Sequence, residues 1–201
     1  MVQELTGSWD VEFESEWFCD GKTEVGGQKP EAEKVKVVFE KLEDWTKRPE
    51  DGIKYYSGTA TYRKTFDVKS DVCSPESAVY LDLGEVRDIA AVRLNGKNLG
   101  IVWCAPWQVD ISGVVRRQGN TLEIDVVNQW PNRLIGDSGL AADKQVAKTT
   151  YQMELSNRRL KPDNPLMPSG LLGPVRILVV DDEKGFELKN CANVGVPLKG
   201  N

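Results

Sequence analysis

Histidine is absent from the 201-residue chain, and with it go Ser-His-Asp and Cys-His catalysis and the commonest zinc ligand. Cysteine is scarce. Cys19, Cys73, Cys104 and Cys191 stand far apart with no C-x-x-C pair, so the spacing offers neither a zinc site nor a thioredoxin-like motif, and free thiols with at most one disulfide are expected. A basic excess is missing too: 26 Lys and Arg against 31 Asp and Glu give a net charge of −5 and no basic stripe, which excludes a dedicated nucleic-acid binder. No apolar run approaches the roughly 18 residues that cross a bilayer. The stretch from Met1 to Glu14 lacks the basic and apolar regions of a secretory signal, which leaves two readings open, a cytosolic protein or a piece of a longer chain. Any catalysis here would rest on carboxylates, Lys, Tyr or Cys.

What is present is strand grammar. Trp9, Val11 and Phe13 alternate with Asp10, Glu12 and Glu14 at the period of a half-buried strand, and Val35, Val37 and Phe39 repeat the pattern within Lys34 to Glu40. Pro49 and Asp51-Gly52 punctuate the segment from Leu42 to Gly58 as turns. Alternation resumes through Thr59 to Val68, interrupted by Lys64, which a bulge or a snorkelling lysine accommodates. Val79, Leu81 and Leu83 form the next set, and Leu122, Ile124 and Val126 a later one. Ile89 to Asn95 and Asn98 to Trp103 flank an Asn95-Gly96 turn whose residues accept positive φ, the pattern of a tight hairpin. Pro174 to Val180 is apolar on both parities, as in a strand covered on both faces. A long segment from Asp137 to Gly173, rich in proline, shows little strand character, with a short helix around Tyr151 to Leu160 the best local reading; connections of this length usually carry function or pack on something. Eight to ten short strands and almost no amphipathic helix predict one all-β sandwich domain over residues 1–201, with one long irregular loop segment.

Several motifs add a family likeness. Tyr62-Arg63-Lys64-Thr65-Phe66, Leu81-Asp82-Leu83-Gly84, Val92-Arg93-Leu94-Asn95-Gly96-Lys97 with Leu99-Gly100, Pro106-Trp107-Gln108-Val109-Asp110-Ile111 and Gly119-Asn120-Thr121-Leu122 resemble, in order, the sugar-binding domain of the β-galactosidase and β-glucuronidase class of glycoside hydrolases. Tyr56 to Ala60, Asn128 to Asp137 and Pro168 to Val175 are similar to the C-terminal region of bacterial enzymes of the α-L-rhamnosidase type. The resemblance implies a galactose-binding-like jelly roll whose partner is either carbohydrate or the catalytic domain of a parent enzyme, with the catalytic carboxylates in a separate barrel. It also implies an exported protein, periplasmic or extracellular. Such folds often hold a structural calcium in a loop, yet no ligand spacing here places one, and no other cofactor is expected.

Sugar recognition wants aromatic rings for C–H faces and planar polar groups for hydroxyl pairs. Trp103, Trp107, Asn128, Trp130, Asn132, Arg133 and Asp137 supply both kinds, and they are the candidates for carbohydrate binding or domain docking. The Asn128 to Asp137 loop has three readings: Trp130 caps the sandwich while Arg133 pairs with Asp137; the loop docks on a catalytic domain; or it touches glycan. Docking predicts that Trp130 and Arg133 are both exposed. Trp9, Trp17 and Trp45 are expected in the core or at its rim, Gly96 and Gly100 as backbone devices, and Asp181-Asp182-Glu183 as a solvated turn. Three functions compete: a non-catalytic accessory module, a stand-alone carbohydrate-binding or adhesion protein, and an autonomous glycosidase using two of its many carboxylates.

Overall fold

A computed structural model describes residues 2–14, 34–69, 78–147 and 160–180. The expected helix at Tyr151 to Leu160, the Asp181 turn, Trp17, Cys19, Cys73 and Cys191 lie wholly or almost wholly outside the described residues. The strands are β1 (Val2–Glu4), β2 (Trp9–Glu14), β3 (Lys34–Phe39), β4 (Thr59–Phe66), β5 (Ala78–Asp82), β6 (Glu85–Arg87), β7 (Ile89–Leu94), β8 (Lys97–Val102), β9 (Gln108–Asp110), β10 (Asn120–Val127), β11 (Gly170–Gly173) and β12 (Arg176–Val180). The chain is all-β with a galactose-binding-like fold. Among the described residues two short α-helices interrupt it, α1 (Asp51–Lys54) and α2 (Pro131–Ser138).

A six-stranded antiparallel sheet, ordered β3-β2-β4-β10-β7-β8, faces a four-stranded one, β1-β12-β5-β9, and β6 pairs with β11 beside them. Alternation explains the layering, because residues of one parity meet the opposite sheet and the other parity meets water. Trp9, Val11, Phe13, Tyr62, Val92, Leu94, Leu122 and Ile124 from the larger sheet close on Val79, Leu81, Val109 and Ile177 from the smaller in one buried cluster. Phe13 sits at its centre, edge-on to Trp45 at 5.4 Å and to Tyr56 at 4.9 Å.

Asn95 at φ 53° and Gly96 at φ 80° make the hairpin turn that the Asn-Gly pair predicts. Lys64 causes no bulge. The β4–β10 register runs unbroken, and the lysine snorkels over the Trp9 ring at 5.0 Å to donate to the Ser8 carbonyl at 2.7 Å. The last strand differs from expectation: Val175 and Ile177 are buried but Arg176 and Leu178 are only half-buried, so one face alone is fully covered. The count also exceeds eight to ten, because β1, β6, β9 and β11 are three or four residues long and too short to show a period. Asn128 to Asp137 is not a plain loop; most of it is α2, with Pro131 at the first helical turn, where its missing N–H costs nothing.

The outward face of the larger sheet carries an ion-pair ladder. Glu12 meets Arg63 at 2.6 Å, Arg63 meets Glu123 at 2.8 Å, and Arg93 bridges Glu123 at 3.1 Å and Asp125 at 2.9 Å. Arg63 holds the Glu12 carboxyl below its ordinary value, and Arg93, then Arg63, do the same for Glu123. A carboxyl depressed in the folded state contributes stability that is present above its unfolded value and lost as pH falls through the folded one. Unfolding free energy should therefore decline below about pH 4.5, and the decline should be shallower in Glu123→Gln, as denaturant titrations at stepped pH can read. Parallel curves for the two proteins would mean that the ladder has no such role.

Candidate functional site

Three of the motif segments, Tyr56 to Ala60, Asn128 to Asp137 and Pro168 to Val175, converge at one end of the sandwich. Asn128, just past β10, donates from Nδ2 to the Tyr56 carbonyl at 2.9 Å and to Ser169 Oγ at 3.1 Å, while its Oδ1 accepts from Gly58 N at 3.0 Å. Asn132 on α2 clamps the opposite chain: Nδ2 reaches the Met167 carbonyl at 2.7 Å and Ser169 Oγ at 3.0 Å, and Oδ1 accepts from Met167 N at 2.8 Å. Asp44 Oδ1 accepts from Ser169 N and Thr46 N, both at 3.0 Å, and Ser57 Oγ donates to the Gln129 carbonyl at 2.7 Å. Buried polar groups need such partners, and these side chains find theirs in one another.

Beneath this knot Trp45 Nε1 donates to Tyr62 Oη at 2.6 Å, and Leu171 N donates to the same oxygen at 3.2 Å. Burial pushes the Tyr62 hydroxyl up, so it stays a neutral acceptor. Arg133 and Asp137, one helical turn apart, form an ion pair at 2.8 Å with both side chains buried, and Asp137 Oδ2 accepts from Ala147 N at 2.7 Å. The Arg133 guanidinium lies 5.9 Å over the Tyr55 ring.

The docking expectation of two exposed residues is corrected for one of them. Arg133 is 3% exposed, because the turn of α2 puts it on the inward face with Asp137, whereas Trp130, at the helix start, is 56% exposed. Asn128, Asn132 and Asp137 are buried as well. Trp103 is 64% exposed just after β8, and Trp107 is half-buried against the core. Asp44, Ser57 and Ser169 belong to the same network and carry no sequence signal beyond their motif neighbours. Asn95 is a second such case: besides making the turn, it binds the Val114 carbonyl at 2.8 Å and Asn120 Oδ1 at 3.0 Å.

Among the described residues no three carboxylates or thiols converge as a metal-holding group. No helix among the described residues is long and apolar enough to cross a membrane.

A family model described as glycosyl hydrolase 2 galactose-binding domain-like matches residues 46–151. A putative beta-glucuronidase of Formosa agariphila is 37% identical over 193 aligned positions, covering 88% of this chain and 15% of that protein. The solved structure of a rhamnosidase from Novosphingobium sp. PP1Y superposes with a TM-score of 0.71 at 35% identity, covering 89% of this chain and 15% of the other. The chain thus spans about one seventh of either relative's length.

Proposed function

Since the chain belongs to the glycosyl hydrolase 2 galactose-binding domain-like family, we propose that it is a non-catalytic accessory module of a carbohydrate-degrading enzyme of the α-L-rhamnosidase type. The observation that carries this reading is the internal use of Asn128, Asn132, Arg133 and Asp137, which are buried and are bonded or ion-paired within the module's own chain. Groups tied up in this way hold a scaffold. They are not free to fork onto sugar hydroxyls, which argues against direct glycan contact through these four side chains. The small share of each relative that the chain spans supports the same view, with the chemistry in another domain of the parent enzyme.

An autonomous glycosidase needs one carboxyl held protonated at working pH. Glu12, Glu50 and Glu123 are instead held low by Arg63, Arg48 and Arg93, which suits ion pairs and not a general acid. An exported location, periplasmic or extracellular, is part of the proposal, as is a carbohydrate-active partner domain. The chain alone, shown to be folded by circular dichroism, should release no nitrophenol from nitrophenyl α-L-rhamnoside or β-glucuronide. Turnover abolished by a single carboxylate substitution such as Glu123→Gln would overturn the accessory role.

A further inference from the structure

The outward face of the six-stranded sheet is charged along its middle but apolar at one corner. Register defines that corner. Val127 stands opposite Ile89 across β10 and β7, Ala91 stands opposite Ile101 across β7 and β8, and continuing the β7–β8 register by one step past the Ala90–Val102 pair sets Trp103 beside Ile89. These residues share the parity of Asp125, Glu123 and Arg93, so the apolar corner and the ion-pair ladder lie on one face. Ile89 is 41% exposed and Ile101 60%, and Trp130 follows β10 at the same end.

Trp103, Ile89 and Ile101 together present on the order of 300 Å² of apolar surface, within the range where a patch marks an interaction site. A stable dimer of free copies needs more than twice that per partner, whereas contacts between domains of one polypeptide can be this small, because the linker keeps the local concentration high. Aliphatic Ile89 and Ile101 in the row also suit a protein surface better than a sugar, which stacks on aromatic faces. Charged groups bordering an apolar centre reproduce the anatomy of an interface, and the hydrogen-bonded knot under α2 holds Trp130's segment in place before docking.

We propose that this corner seats an apolar surface of the catalytic domain joined to the module in the same polypeptide. The inference rests on the accessory reading above and names the face through which that role is exercised. Its test uses the intact parent enzyme. Ile101→Cys and Val38→Cys are compared for thiol labelling, read site by site by tandem mass spectrometry; Val38 is 52% exposed on the same sheet face but at the opposite, β3 edge. Labelling at position 101 should be slower by about tenfold or more, independent of enzyme concentration and of added sugar. Equal rates at the two positions overturn the proposal. Protection lost on dilution assigns the corner to a second copy, and protection that appears only with pectic oligosaccharide assigns it to glycan; both also overturn it. Should Ile101→Cys fail to fold, Ile89→Cys reads the same corner. Turnover by the module alone would strike the accessory reading instead, whatever the labelling shows.

Discussion

Asp137→Ala should destabilise the chain by about 3–5 kcal/mol, because it leaves the Arg133 guanidinium buried without its counter-charge. Both side chains are nearly excluded from water, and the carboxylate also accepts from Ala147 N, so one truncation strands two donors. The wild-type pair is nevertheless not an especially good one. Arg133 Nη2 stands 2.8 Å from Asp137 Oδ1 but off the hydrogen-bond axis, and Arg133 Nε has no hydrogen-bond partner among the described residues. Desolvation is then repaid only in part. Replacing both residues, as Arg133→Met with Asp137→Leu, should therefore cost far less than either single change, within about 2 kcal/mol of wild type. Urea unfolding of the two single variants and the double variant closes the cycle. Additive losses would mean that the two side chains do not depend on one another.

Gly170→Ala is expected to cost about as much for a different reason. Gly170 has φ +104°, and a Cβ there would stand 2.4 Å from Trp45 Nε1 and 2.7 Å from Cε2. The indole cannot retreat, being fully buried, bonded to Tyr62 and packed edge-on against Phe13 and Tyr56. Overpacking of about 1–3 kcal/mol adds to backbone strain of about 1–3 kcal/mol. Gly100 offers a matched control, since its φ is +99° but nothing lies within 4 Å of the added carbon. Gly100→Ala should show the strain alone. The difference between the two unfolding free energies then measures the crowding, and equal losses would remove Trp45 as its cause.

Much of the sandwich is legible in the chain because strand alternation is a local signal. Trp9 to Glu14 alternates cleanly and is a strand over the same bounds, and Asn95-Gly96 dictates its turn through φ alone. The pieces that escape are those fixed by distant partners. β6 and β11 exist because they pair with each other across a shifted register, and α2 contains Pro131, Gly136 and Asp137, a composition that reads as turn. Gly136 stands in the helix for a packing reason, since a Cβ there would come within 2.7 Å of Tyr55 Cγ. The site is legible as a set of positions and in one role, the pairing of Arg133 with Asp137 that the structure shows at 2.8 Å. Asn128 and Asn132 look from their types like groups awaiting a ligand, and only the fold brings Ser169, Met167 and Tyr56 to them. Ile89 and Ile101 are legible as strand residues of the hairpin but not as neighbours on one face, because that face depends on the β7–β8 register and on the shift between Val92 and Arg93.

That the motif end of this module is a scaffold and not a sugar site is tested most directly by tryptophan fluorescence of the folded chain. L-rhamnose, galactose, glucuronic acid and pectic oligosaccharides would be titrated with and without calcium. A flat response to every sugar is the expected result. A saturable change that disappears in Trp130→Ala or Trp103→Ala, with unfolding free energy unaltered, would contradict it and make this end of the sandwich a carbohydrate-binding face.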